Sequence, residues 1–344
     1  MKILYCILTG KSGGDVYFNN LQQSQNALGV GTAKLSYHRF WSIYPKLLSS
    51  FIKVDEVFDI IHSNIEYGTA FYVKNKPLIV SALHIITDGF IEKYYRDFKK
   101  IYYRKILKYI KETIGKATFT VAISKFTELT VKEIKDIKNI KTIYCGIDTN
   151  IYQPIQIDCS PYYDKIKLLF VGNLTIRKGA DLLPQIMDQL SDKFLLFYTT
   201  GLRTARKIFR GNRMIPLGKL SQKELVYWYN LCDICLLPTR LEGFGYAAAE
   251  AMACAKPVVT TNCSSLPEIV IDGETGFLCK MDDVNDFVDK IKMLADNETM
   301  RIEMGLKGRK RIMEHFSLEK MGKEYYEMYK NVIREFYGNE RAET

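Results

Sequence analysis

No stretch of the chain approaches the roughly eighteen uninterrupted apolar residues that a membrane-spanning helix needs. Nor is there an Asp-x-Asp anywhere, so no ready carboxylate pair awaits a divalent cation, and no metal is expected. Cys232 and Cys235 form a lone C-x-x-C with no second pair or matching histidine spacing, which excludes the usual zinc patterns. TGKSGG at 9 to 14 lacks the first glycine of a Walker A loop: Tyr5 stands five positions before Gly10. The apolar opening MKILYCIL runs only eight residues, with no small-residue cleavage site after it. It reads as a buried strand rather than a secretory segment, so a cytoplasmic protein is expected, at most peripheral to a membrane.

What is present bounds the architecture. A length of 344 residues exceeds one ordinary hydrophobic core, so two domains are expected. A hydrophobic share of 47% with 26% charged residues is that of a globular chain. The eight cysteines are scattered through apolar segments, the pattern of buried free thiols. A formal charge of +10 draws anions in general, whether nucleic acid, anionic lipid or phosphorylated small molecules.

Short apolar runs alternate with longer amphipathic ones throughout. KILYCIL, FDIIHS, PLIVSAL, FTVAIS and KTIYC read as strands in the first half, with helical stretches such as 15 to 28 and 90 to 115 between them. KLLFVG, FLLFYTT, MIPLG, DICLLP and PVVTT repeat the scheme, with helices near 179 to 191, 221 to 231 and 246 to 255. Three more helices follow, near 282 to 296, 299 to 315 and 317 to 336. Strand–helix alternation of this kind means right-handed crossovers and parallel sheets covered on both faces, hence two doubly wound α/β domains. The prolines and polar residues of 151 to 165 mark the boundary.

Three loops follow strands in the way that phosphate sites do. Gly13 and Gly14 lie between the first strand and a helix beginning near Asp15, a position that serves equally as a tight turn or as an approach to phosphate. Arg177 and Lys178 stand ahead of Gly179, where a strand's carboxyl end meets a helix N-terminus. In LEGFGYAAAEAMACAKPVV, 241 to 259, Glu242 precedes a glycine turn and Glu250 lies within an alanine-rich helix. Amides freed by Gly243 and Gly245 suit a phosphate, and the two carboxylates suit hydroxyls, a combination that a nucleotide sugar offers.

The stretch EGFGYAAAE, with the AMACAKPVVTT and LPEIVIDGETGFL that follow, resembles the signature of the family 4 glycosyltransferases (glycosyl transferases group 1). VGNLTIRKG, PLGKLSQKELVYWYNLCDICLLPT, YCGID at 144 to 148 and the terminal FSLEKMGKEYYEMY extend the resemblance. It implies the GT-B fold, two Rossmann-like domains facing across a cleft: 1–155 for the acceptor, 156–322 for the nucleotide sugar, and a helix at 323–344 crossing back to the first. It further implies retaining transfer of a hexose from a UDP- or GDP-type sugar to a hydroxyl of a glycan, lipid or protein-linked sugar, with no cofactor and no metal.

Carried over to this sequence, the resemblance gives Glu250 the ribose hydroxyls, Glu242 and the Gly243, Phe244 and Gly245 segment the sugar and diphosphate, and Lys178 the diphosphate charge. Asn173 stands where family members often carry an arginine, and Arg177 is the substitute. Ile215 falls at the base-clamping strand, Gly14 near the phosphates, and His84, which by itself could equally be a core residue, faces the donor sugar. Alternatives are a GT-B nucleotide-sugar epimerase, a glycoside hydrolase using the paired acids, and a basic nucleic-acid-binding protein, although no nucleic-acid module is present. The tyrosine-rich basic stretch 91 to 114 reads either as a packed, solvated helix or as a face for anionic membrane.

Overall fold

The computed structural model describes residues 1–10, 13–52, 54, 57–86, 88–94, 97–158, 162–201, 209, 211 and 213–338. The chain divides into two compact units, one formed by Met1–Gly146 with Leu318–Thr344 and the other by Ile147–Ser317. Residues 151–165 accordingly lie inside the second unit.

The first unit carries a parallel six-stranded sheet: β1 (Lys2–Thr9), β2 (Gly31–His38), β3 (Ile60–Asn64), β4 (Leu78–Ala82), β5 (Phe119–Ala122) and β6 (Ile140–Thr142), in the order β2-β1-β3-β4-β5-β6. Its helices are α1 (Gly13–Ala27), α2 (Pro45–Ser49), α3 (Asp88–Tyr94), α4 (Asp97–Lys116) and α5 (Lys125–Ile134). Every residue of β3 and β4 is buried, as strands covered on both faces must be. Gly13 and Gly14 form the first turn of α1 instead of a loop before it, while Lys11 and Ser12 lie outside the described residues. The helix expected over 90 to 115 is described as α3 and α4 on either side of residues 95 and 96, which lie outside the described residues.

The second unit repeats the plan with β7 (Ile166–Phe170), β8 (Phe194–Thr199), β9 (Met214–Gly218), β10 (Ile234–Leu237), β11 (Val258–Thr261) and β12 (Gly276–Cys279), ordered β12-β11-β10-β7-β8-β9. Helices α6 (Leu183–Asp188), α7 (Gln222–Leu231), α8 (Tyr246–Ala253), α9 (Leu266–Ile269), α10 (Val284–Asp296) and α11 (Glu298–His315) cover it. A reciprocal capping box, Ser221 with Glu224, fixes the start of α7. Small residues set the close packing of α8. Ala248, Ala249 and Ala251 are fully buried, and a Cβ on Gly305 of α11 would stand 2.1 Å from the Ala255 carbonyl oxygen. Cys232 and Cys235 are buried free thiols, as are the other described cysteines except the half-buried Cys263; Cys159 lies outside the described residues.

The last helix, α12 (Leu318–Tyr337), belongs with the first unit and buries a stripe from Met321 to Ile333. Gly322 lets it approach α1, since a Cβ there would come 2.9 Å from Ser24. Tyr325 and Tyr329 then join a buried polar network with Tyr17, Ser81 and His62, in which His62 Nε2 stands 2.7 Å from Ser81 Oγ. Burial pushes the His62 pKa down to about 3, so this histidine is a neutral core residue. No described helix is long and apolar enough to cross a membrane.

Candidate functional site

In the second sheet the chain runs outward from β7 through β8 to β9, then returns on the other side of β7 as β10. The loops after β7 and β10 therefore leave the sheet in opposite directions and open a crevice at its carboxyl edge. That crevice is lined by Phe170, Lys178, Leu237, Thr239, Glu242 and Gly245.

The β7 loop ends in a 3-10 turn, Ile176–Lys178, whose N-cap is Thr175 and whose C-cap is Gly179 in the left-handed conformation, φ 65°. The expected helix opening directly after Gly179 is therefore displaced to Leu183, and Arg177 and Lys178 sit on the short turn rather than at a helix N-terminus. A Cβ on Gly179 would stand 1.7 Å from the Pro238 carbonyl oxygen at the end of β10. Gly179→Ala is expected to cost about 1–3 kcal/mol in chemical denaturation, from the positive φ and the displaced loop. A change within a few tenths of a kcal/mol would refute this close approach.

Arg240 fastens the two loops together. It is 7% exposed, and its guanidinium grips Asp181 through two bonds of 2.7 and 2.8 Å, Asp282 at 2.6 Å and the Ile176 carbonyl at 2.6 Å. Its backbone amide and the Thr239 hydroxyl both donate to the Arg177 carbonyl, at 2.8 and 2.9 Å. The turn carrying Arg177 and Lys178 is thereby held against the segment carrying Glu242.

Lys178 Nζ pairs with Glu242 Oε1, and Arg177 Nη1 lies 3.6 Å from Glu242 Oε2 while donating to the Leu241 carbonyl at 2.6 Å. Burial lowers the Lys178 pKa, with the Glu242 charge acting against it. Ser264 and Ser265 hold the backbone of the acidic loop, accepting from the Glu242 amide at 2.9 Å and donating to the Phe244 carbonyl at 2.8 Å. Gly245, at φ 111°, begins α8. Ala248 is the first residue of the helix whose amide bonds back to the Gly245 carbonyl, so the helix's own hydrogen-bond ladder begins there. Glu250 lies one turn on, 8% exposed, and accepts from the Tyr229 hydroxyl at 2.8 Å. Burial raises its pKa to about 7, against hydrogen bonds from Tyr229 and Tyr152 and the charge of Lys178.

Lys178, Arg177, Glu242, Gly243, Gly245 and Glu250 thus belong to one neighbourhood. Phe244 is 2% exposed, its ring packed on Tyr246 and Phe316, so only its backbone can meet a ligand. Asn173 lies on the β7 loop beneath Gly201, where a Cβ would come 2.4 Å from its Oδ1. Ile215 is on the edge strand β9, paired with Phe197. Gly14 and His84 belong to the first unit, in the first turn of α1 and two residues beyond β4. The sequence reading missed Arg240, Tyr229 and Tyr152. Nothing local separates Arg240 from a solvated surface cation, and the tyrosines read as core.

Residues 165–297 match the family described as glycosyl transferases group 1. The match covers much of the second unit, which is similar to that family. The uncharacterized glycosyltransferase MJ1178 of Methanocaldococcus jannaschii is 36% identical over 156 residues, 44% of this chain and 44% of that protein. The capsular polysaccharide biosynthesis glycosyltransferase CapM of Staphylococcus aureus is 35% identical over 188 residues, 55% of this chain and 43% of its own. The chain therefore spans less than half the length of these curated relatives. Sucrose-phosphate synthase from Thermosynechococcus elongatus superimposes with a TM-score of 0.82 at 18% identity, covering 97% of this chain and 100% of that one. The Anabaena protein HepE, solved with UDP-glucose, gives 0.78 at 17% identity over 96% and 100%. These likenesses establish the GT-B fold of two parallel six-stranded sheets layered with helices.

Proposed function

We propose that the protein is a retaining glycosyltransferase that moves a hexose from a UDP- or GDP-type sugar to an acceptor hydroxyl of a glycan, lipid or protein-linked sugar. The observation that carries this reading is the convergence of Lys178, Arg177 and Glu242 beside the first turn of α8, one helical turn from the buried Glu250. The group 1 family match and the UDP-glucose complex of the like-folded Anabaena protein support it.

In the reaction the bond from the anomeric carbon to the diphosphate oxygen breaks, and a bond to the acceptor oxygen forms on the same face. The departing phosphate takes the acceptor's proton. Negative charge grows on the diphosphate, and Lys178 meets it by leaving Glu242, while Arg177 stays held by the Leu241 carbonyl and the N-terminal end of α8 adds its dipole. Glu242 then accepts from a sugar hydroxyl and Glu250 from the ribose. The same reading gives His84 the donor sugar, Gly14 the phosphates, Ile215 the base, and Asn173 the position beside the diphosphate.

A thermal-shift screen against UDP-, GDP- and ADP-sugars tests this. A sugar at one hundred times its dissociation constant adds about 2.7 kcal/mol of stability, or roughly 5–10 °C for a unit of this size. No shift with any donor, or release of free sugar from an oligosaccharide without a nucleotide, would overturn the proposal.

A further inference from the structure

Residues 39 to 51, RFWSIYPKLLSSF, form a corner of the first unit that the donor site does not use. They follow β2 as a 3-10 turn, Arg39–Ile43, and α2. Phe40, Tyr44, Leu47 and Phe51 are 55%, 48%, 54% and 66% exposed. They are one patch rather than scattered side chains: the ring of Phe40 contacts those of Trp41 and Tyr44, and Trp41 contacts Phe51. Isolated exposed apolar residues are ordinary, but a contiguous aromatic patch marks an interaction surface.

The patch is built against α4. The Tyr109 hydroxyl donates to the Ile43 carbonyl at 3.3 Å, Lys46 pairs with Glu112, and Lys105 Nζ sits 4.3 Å over the Tyr44 ring. The tyrosines of α4 are buried or half-buried, which settles the packing side of the sequence expectation for them. Its cations are not buried: Lys108 and Lys111 are exposed and Lys105 is half-buried, while Lys100 and Arg104 pair with Glu92 of α3. Over its length α4 carries seven Lys/Arg against two acids, and residues 39 to 51 carry two cations and no acid. Carboxylates appear next at 55 and 56, outside the described residues.

From this charge complementarity we infer that the corner formed by 39–51 and the exposed face of α4 docks on an anionic phospholipid bilayer. Phe40, Leu47 and Phe51 enter the headgroup boundary, and Lys105, Lys108 and Lys111 meet the lipid phosphates. The aromatic contact belongs to the corner beside α4 rather than to Tyr102, Tyr103 and Tyr109 of α4. This inference is independent of the donor site, which lies in the second unit.

Flotation with phosphatidylglycerol vesicles and, separately, phosphatidylcholine vesicles tests it on the full chain. The wild type is expected to bind the former, weaken in high salt and ignore the latter. Phe40→Ser/Leu47→Ser/Phe51→Ser and Lys105→Gln/Lys108→Gln/Lys111→Gln are each expected to weaken binding at least about tenfold, with melting temperatures within a few degrees of the wild type. Undiminished binding by both variants, no binding by the wild type, or equal binding to phosphatidylcholine would overturn the inference. So would a wild-type dimer that the apolar variant abolishes, since a second copy would then cover the patch.

Discussion

Lys178→Ala is expected to lower kcat for sugar transfer by about 10²–10³-fold, the effect of removing one preorganised donor from a developing anion. The fold should survive the change. Glu242 keeps Arg177 at 3.6 Å and the Thr239 hydroxyl at 3.4 Å, and Gly179 and Arg240 hold the turn by bonds that do not involve the Lys178 side chain. Initial rates should be measured with whichever nucleotide sugar gives the largest thermal shift, beside a melting curve of the variant. A rate within threefold of the wild type would remove Lys178 from the diphosphate site. Arg177→Ala should fall less, because its guanidinium is already committed to the Leu241 carbonyl.

Glu250→Gln is expected to stabilise the protein at alkaline pH while weakening its response to donor. The folded state holds the Glu250 pKa at about 7, above the 4.5 of the ordinary side chain. Below pH 4.5 the carboxyl is protonated folded or unfolded, and nothing is lost. Between 4.5 and 7 the unfolded chain releases the proton while the folded chain keeps it, so stability falls; above 7 the loss is complete, at about 3 kcal/mol. Glutamine cannot ionise, so the variant should melt close to the wild type at pH 5 and roughly 6–12 °C above it at pH 8. A difference that stays flat from pH 5 to pH 8 would show that Glu250 titrates normally. The buried carboxylate is destabilising by itself, and the proposed ribose contact is the function that would retain it.

Much of the fold is legible along the chain. The five strands expected in each half are present, and the helix expected near 221 to 231 is α7, capped by Ser221. Two strands escaped. β2, GTAKLSYH, is half exposed and has no apolar run, and β12, GFLC, is four residues following a turn. Both are edge strands, where one side is unpaired and the apolar signal is weakest. The loop chemistry was harder to read, because a glycine-ended 3-10 turn and a helix N-terminus use the same residues at the same spacing. Only Pro238, pressed against Gly179, decides between them.

The sequence by itself determined the alternation of strand, loop and helix, the glycines that open the loops, and the charged residues they carry, since period and backbone freedom are local properties. The tertiary structure decided which loops meet. Lys178 and Glu242 are sixty-four positions apart, and they pair because the chain returns past β7 to lay β10 at its side. It also made Arg240 a fastener and Glu250 a carboxyl that holds its proton near neutrality, because burial and partners belong to the assembled neighbourhood and not to any residue's own stretch of chain.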